Sequence, residues 1–290
     1  MGLIIKLMEK KWVIKERGDS GLVKQLAGDL GVSESLANLM VQRKITTPGE
    51  ARKFFNPSLD YLHDPFLMKD MNRAVDRLSG AIKKGEKILV YGDYDVDGTT
   101  AVALVYSFLK KNNANVDYYI PDRYKEGYGV SFQGIDFAFN NNFKVVISLD
   151  CGIKAVEKIQ YAKSKGLDVI ICDHHYPGDE IPKALAVLDP KQPGCDYPYK
   201  ELSGCGVGFK LIHAYSKIHS IPFSEIANYL DLVAVSIASD IVPITGENRV
   251  LAYFGLKQLN EAPRTGLKEI IREAEVSRVL TIEDVVFKIG

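Results

Sequence analysis

The sequence has no run approaching the ~20 apolar residues that a membrane-spanning helix needs, which argues against a helical membrane protein. Its opening, MGLIIKLMEKKWVIKERGD, carries a short apolar patch, but lysines interrupt it and no small-residue cleavage site follows, so it does not read as a secretory signal. Cysteine is scarce. Cys151, Cys172, Cys195 and Cys205 form no CxxC pair and no zinc-ligand spacing, which excludes a zinc-finger module. Two of them, Cys151 and Cys172, end apolar strand-like runs, so free buried thiols in a reducing cytoplasm are expected. Net charge is absent as well: Lys+Arg and Asp+Glu both number 37. Global charge therefore gives no support to nucleic-acid binding, and any basic surface must be local. Carboxylates gathered round a metal cancel lysines elsewhere, so balance does not exclude such binding. Internal repeats and low-complexity tracts are also missing.

What is present is an ordinary globular composition, 46% hydrophobic and 26% charged over 290 residues. Up to about Gly80 the pattern is helical, with no strand alternation. SESLANLMVQRK and TPGEARKFF carry apolar residues at helical spacing, and in the second Thr47, Pro48 and Glu50 supply an N-cap, a first-turn proline and a capping-box partner. Residues 1–80 are expected to form a helical lead-in, and residues 81–290 a catalytic domain. From Lys87 the rhythm becomes strand, loop, helix, with strand-like runs KILVYG, VDYYIP, KVVISLD, LDVIICD and ALAVLDP. That alternation predicts an α/β fold, a parallel sheet covered by helices on both faces. After Ser203 the chain reads as mostly helical, and TIEDVVFKIG starts a helix at Thr281 and Asp284 before an abrupt end that resembles a cut chain.

Chemistry concentrates in YGDYDVDG, where Asp93, Asp95 and Asp97 alternate and Gly98 closes the run. Like charges at this spacing repel unless a cation lies between them. An EF-hand loop opens the same way, but its twelfth position needs a bidentate glutamate, and here that position is Leu104. A strand also precedes the run where an EF-hand has a helix. The aspartates thus follow a strand and precede a helix, where ligands bind in open α/β sheets.

Three further motifs put acid or histidine at element ends: Asp150 in ISLDCG, Asp173, His174 and His175 in IICDHHYPG, and Asp240 in VAVSIASDIVP. Taken singly each has a plain explanation. Asp150 reads as a turn former or helix cap, DHH as a polar turn, and Asp240 as an oddity that opposes a helix dipole. Asp189, after LAVL, sits at a similar strand end with nothing to pair it and is kept structural. Together the four motifs defeat those explanations, because buried carboxylates gathered at one edge must be paired, hydrogen-bonded or metal-bound. Oxygen ligands with one or two imidazoles suit Mn²⁺ or Mg²⁺ better than zinc.

In order, GDYDVDGTTA, SLDCGI, DHH and IASDIVP resemble the four motifs of the DHH phosphoesterase superfamily. IPDRYKEGYGVS, LSGCGVGFKL and the lead-in ending LHDPFLMKDM are similar to segments of its RecJ branch of single-strand-specific exonucleases. The resemblance covers nearly the whole chain. It implies a two-metal hydrolase with Asp95, Asp97, Asp150, His174 and Asp240 as ligands to Mn²⁺ or Mg²⁺, and Asp150 bridging two ions. It implies that His175 contacts the scissile phosphate or helps the leaving group, and that Asp93 orients a ligand or a water. Some relatives place a histidine ligand where this chain has Tyr91, and water or Asp93 is expected to fill that place. Arg123, Lys125 and Tyr128 (or Tyr124) are candidate contacts to DNA backbone and bases; a turn with solvated charges is the plainer alternative. SGCGVG offers either a phosphate cradle at a helix N-terminus or close helix packing, and packing is preferred. His63, His213 and His219 stand outside the motifs and are treated as ordinary.

The function implied is a 5′-to-3′ exonuclease on single-stranded DNA in repair and recombination, cytoplasmic, with single-stranded DNA, a single-strand-binding protein and a helicase as partners and no membrane. A DHH phosphoesterase acting on short oligonucleotides or small nucleotides is the alternative, and the RecJ-like IPDRYKEGYG argues against it. An inactive replication scaffold is a third reading, opposed by the complete set of motif carboxylates and both histidines. The resemblance also implies a second domain and an OB-like DNA-binding domain after this core, so the chain is expected to be an N-terminal catalytic portion.

Overall fold

Short runs of β-branched and aromatic residues become strands here, and the amphipathic stretches between them become the covering helices. The computed structural model describes residues 12–276 and 278–290; the first residues of the expected helical lead-in, 1–11, lie outside the described residues. The chain divides into two compact units, one ending at Asn56 and one starting at Pro57.

In the first unit lie α1 (Ser20–Leu30), α2 (Glu34–Gln42) and α3 (Pro48–Phe55). Their apolar faces bury Val23, Leu26, Ala37, Met40, Ile45 and Ala51 against one another. The capping box forms as its sequence predicts: Glu50 N–H donates to Thr47 Oγ1 at 3.2 Å and Thr47 N–H to Glu50 Oε2 at 3.1 Å.

The second unit is built on a five-stranded parallel sheet in the order β2-β1-β3-β4-β5. Its strands are β1 (Lys87–Gly92), β2 (Val116–Tyr119), β3 (Phe143–Leu149), β4 (Asp168–Cys172) and β5 (Ala186–Leu188). All four pairings are parallel, so every strand ends at the same edge. Each of the five strand-like runs read from the sequence thus contributes one strand. Side chains alternate between faces: Ile88, Val90, Val145, Ile147, Ile170 and Cys172 enter one core, and Leu89, Tyr91, Val146, Val169 and Ile171 enter the other.

The larger core is covered by α4 (Met71–Lys84), α5 (Val96–Lys111), α8 (Gly204–Ile218) and α10 (Leu230–Ser239), and the smaller by α6 (Phe132–Asn140) and α7 (Val156–Ser164). Nearly every residue of α10 is buried, so its uniform hydrophobicity marks a central helix and not an amphipathic one. The stretch SEIANYLDLVAVSIASD breaks into α9 (Phe223–Ala227) and α10. The freed Asn228 carbonyl accepts from Gln258 Nε2 at 2.8 Å and Arg264 Nη2 at 2.9 Å, so the break leaves no orphan group there. Beyond it lie α11 (Gly246–Glu261), α12 (Thr265–Glu273) and the short α13 (Ile282–Asp284), which runs into a π turn over Val285–Ile289. No helix among the described residues is long and apolar enough to cross a membrane.

Strand order reverses between β1 and β3, and the loops that leave those two strands diverge to opposite sides of the sheet. Such a switch point opens a crevice beyond the strand ends.

Candidate metal centre

Each acidic motif reaches this crevice on the end of its own element. Asp93 leaves β1, with its N–H bonded to Leu149 O at 3.3 Å. Asp95 caps α5, accepting the Gly98 N–H at 2.9 Å, and Asp97 lies buried in the helix's first turn. Gly98 is obligatory, because a Cβ there would lie 2.4 Å from Asp93 O. Asp150 follows β3 in the left-handed region at φ 59°, and Asp173 follows β4. Asp240 ends α10 and is followed by Ile241 at φ 57°, a conformation that a β-branched residue adopts only under constraint.

The ligand atoms form three overlapping groups: Asp93, Asp95 and Asp150; Asp150, His174 and His175; Asp97, His174 and Asp240. Within each group they lie within 4.8 Å of one another. Asp150 and His174 are each shared between two groups. His174 Nε2 is 3.1 Å from Asp150 Oδ1 and 3.6 Å from both Asp97 Oδ2 and Asp240 Oδ2. None of these approaches has hydrogen-bond alignment. Both His174 ring nitrogens, Asp150 Oδ1 and Asp93 Oδ2 are buried without a hydrogen-bond partner. Unpartnered buried acceptors converging from different elements are a donor set that fits a divalent cation and little else.

The electrostatics agree. Burial first, then the charges of Asp97, Asp95, Asp173 and Asp240, push the Asp150 carboxyl far above the usual carboxylate range. Asp240 is raised to about 7 by burial and by Asp97 and Asp95. Burial also raises Asp93, against donation from the Tyr94 and Gly129 backbone. Burial lowers His174. His175 moves the other way, because its Nδ1 lies 2.7 Å from Asp173 Oδ1 in a hydrogen bond that favours the charged ring. Burial opposes ionisation of Asp173 itself, but the His175 hydrogen bond and charge and the Ile153 N–H hold it below the usual range.

The glycine-rich start of α8 also belongs here. Gly204 N–H and Cys205 N–H each donate to the Asp97 carboxylate at 2.7 Å, and Ser236 Oγ adds a third bond at 2.7 Å. A Cβ on Gly204 would sit 2.6 Å from Asp150 Cβ. The glycines therefore serve close packing, and the anion at this helix N-terminus is the protein's own carboxylate.

The profile of the DHH family, N-terminal domain, matches residues 87–237, the span that carries β1 through most of α10. The chain belongs to the DHH family. It is 45% identical over 262 residues to the single-stranded-DNA-specific exonuclease RecJ of Bacillus subtilis, covering 90% of this chain and 32% of that protein. The corresponding match to RecJ of Escherichia coli is 33% identical and covers 77% of this chain and 41% of that one. The chain thus spans between about a third and two fifths of these relatives' length. A crystal structure of RecJ with Mn²⁺ from Thermus thermophilus superimposes with a TM-score of 0.76 at 26% identity, over 93% of this chain and 38% of that one.

Within this DHH core the structure brings together Asp93, Asp95, Asp97, Asp150, His174, His175 and Asp240. Tyr91 turns away from the crevice: it is buried, its hydroxyl donates to Gly129 O at 2.8 Å, and its ring stacks on Tyr119. Asp93 stands in the ligand group on that side. Tyr128 reaches the centre, its hydroxyl 3.1 Å from His175 Nε2. Arg123 lies over the Tyr94 ring at 5.1 Å, whereas Lys125 faces solvent beside Asp122. Asp189 is buried outside the three groups, with Oδ1 accepting the Lys191 N–H at 2.7 Å. Two contributors had no role from sequence: Asp173 as the acceptor that orients His175, and Ser236, one helical turn before Asp240. That four-residue spacing was the available signal for Ser236.

Proposed function

We propose that this chain is the catalytic portion of a metal-dependent phosphodiester hydrolase, a single-strand-specific DNA exonuclease with the 5′-to-3′ direction that its RecJ resemblance implies. The observation that carries the proposal is the convergence of carboxylate and imidazole groups from β1, β3, β4 and α10 at the switch point of the sheet, with buried atoms of Asp93, Asp150 and His174 left unpartnered. The 45% identity to a RecJ exonuclease supports the choice of substrate.

The residues fit Mn²⁺ or Mg²⁺. Asp95, Asp97, Asp150, His174 and Asp240 would hold two ions, with Asp150 shared and Asp93 beside it. Bound divalent ions supply Lewis-acid stabilisation of phosphoryl oxygens and a more acidic water. The chain's own residues do the rest. The α8 N-terminus and Ser236 fix the rotamer of Asp97. The Asp173 hydrogen bond aims His175 and favours its charged form, so that its Nε2 can leave the Tyr128 hydroxyl and donate to a phosphate oxygen or the leaving group. Tyr94 and Tyr128, at ring centroids 6.3 Å apart, offer faces for unpaired bases, with Arg123 positioned for the backbone. Lys125 is a weaker candidate for the same contact. A cytoplasmic location and partnership with a single-strand-binding protein and a helicase follow from that role in repair and recombination.

The test is cleavage in Mn²⁺ of 5′-labelled single-stranded DNA, the same DNA as duplex, a dinucleotide and pyrophosphate, with Asp150→Ala as control. Loss of the single strand alone supports the proposal. Turnover of only the small substrates moves the chain to another DHH activity. Silence on all four, with metal bound, assigns a necessary part of the reaction to sequence beyond this portion.

A further inference from the structure

Beside His175 lies a cavity of about 160 Å³ whose lining includes neither His174 nor Asp240. Tyr128 and His175 line it and also reach the acidic groups: His175 Nδ1 is 4.0 Å from Asp150 Oδ1. Cys151, Ile153 and Ala155 form the apolar part of its wall; Asp173 lines it too, with Oδ2 accepting the Ile153 N–H at 2.9 Å and Oδ1 bonded to His175 Nδ1 at 2.7 Å. A dry cavity of roughly 150 Å³ holds one benzene ring, so this one has room for a single aromatic ring. Two lining residues are glycines in the positive-φ region that favours glycine: Gly129 at φ 74° and Gly152 at φ 122°. Any side chain at Gly152 would approach Ser148 Oγ at 2.9 Å, and one at Gly129 would project to 3.7 Å from Cys151 Cβ.

The mouth has the opposite character. Lys154 and Lys158 line it, and neither forms an ion pair among the described residues. Here too α7 starts, just after Ala155, an N-cap residue that supplies no side-chain hydrogen bond. A ring-sized apolar hole, a cationic rim and contact with the catalytic histidine match one nucleotide unit: a base followed by a phosphate.

We infer that this cavity is a nucleotide subsite. It takes the base adjacent to the phosphate under attack, and Lys154 and Lys158 take the next phosphate along the strand. The inference rests on the nuclease reading above and deepens it: the strand is gripped on the α7 side of the metal centre, through a base that must be unstacked to enter. A duplex cannot present that base, which gives single-strand selectivity a physical cause.

The test uses trinucleotides carrying 2-aminopurine at each position in turn, bound to the chain with Ca²⁺ in place of Mn²⁺ and followed by fluorescence. One position is expected to change emission strongly, and Ala155→Phe, which fills the hole, is expected to erase that change and weaken binding about tenfold. Equal response at all positions, insensitivity to Ala155→Phe, or no binding at millimolar concentration overturns the subsite. Should Ala155→Phe fail to fold by circular dichroism, the rim variant Lys154→Gln/Lys158→Gln decides the matter. It must weaken the trinucleotide several-fold while leaving a mononucleoside unaffected; no change overturns the inference. Cleavage of the same trinucleotides in Mn²⁺ separates the two proposals, because a position-specific signal without cleavage supports the subsite and counts against the nuclease.

Discussion

Two clusters of buried charge lie in the second unit, and they are built on opposite principles. Between α8 and α11, Lys210 and Glu247 are 0% and 1% exposed and pair at 2.5 Å. Both charged groups are answered: Glu247 also accepts from Tyr197 Oη at 2.6 Å and His63 N–H at 2.8 Å, and Lys210 donates to His63 O at 3.2 Å. Burial pushes the Lys210 ammonium down and Glu247 works against it, so the ion is matched where it lies. At the strand ends the accounting fails. Carboxylates outnumber imidazoles, Asp150 and Asp240 are driven upward, and buried acceptors stay empty. A folded chain that satisfies one buried charge cluster fully and leaves another unsatisfied has reserved the second for something that binds.

The largest way to break this contrast is Asp150→Ala. Removing the shared carboxylate is expected to lower Mn²⁺-dependent cleavage by about a thousandfold or more while the protein stays folded; full turnover by that variant would sink the ligand assignment. Next comes Glu247→Gln, which leaves a buried ammonium without its counter-charge. Urea unfolding should show a loss of about 3–5 kcal/mol, and an unchanged midpoint would mean that the balanced cluster is not structural. Asp173→Asn removes the carboxylate that holds His175 and is expected to cost about tenfold to a hundredfold in kcat with little change in KM. A change confined to KM would instead give Asp173 a role in binding.

Acid titration offers the smallest and finest test. Burial and the charges of Lys210 and Lys217 depress His213 to about 4 from an ordinary 6.5. Its neutral form belongs to the fold, so the unfolded chain binds more protons between those values. Stability from this group is full above pH ~6.5 and is lost as pH falls towards 4. His213→Phe should flatten that limb in thermal melts taken across this range. Melts as steep as those of the parent protein would remove His213 from the balance.

Much of this was legible before any coordinates. KILVYG and KVVISLD read as strands because β-branched residues fill short runs, and both form β-strands. Thr47 and Glu50 announced their capping box three residues apart. The acidic motifs were legible as chemistry because no packing argument explains so much negative charge at element ends. The rest depended on separations that local pattern cannot encode. Asp97 meets Gly204 across 107 residues and Ser236 across 139, and SGCGVG, read from sequence as a phosphate cradle or as close helix packing, gave no sign that its N–H groups would meet a carboxylate. The break before α10 was hidden too, because the groups that compensate it come from Gln258 and Arg264, 30 and 36 residues away.

By itself the sequence determined which residues form strands and helices, and which side chains are candidates for metal chemistry, since both follow from short-range periodicity and from side-chain type. Only the tertiary structure decided that Asp240 joins Asp97 and His174, that Tyr91 turns its hydroxyl to Gly129, and that Asp173 holds His175. The physical reason is that these partners are fixed by the order of strands in the sheet and by how closely α5, α8 and α10 pack on it, and neither exists until the chain has closed its core.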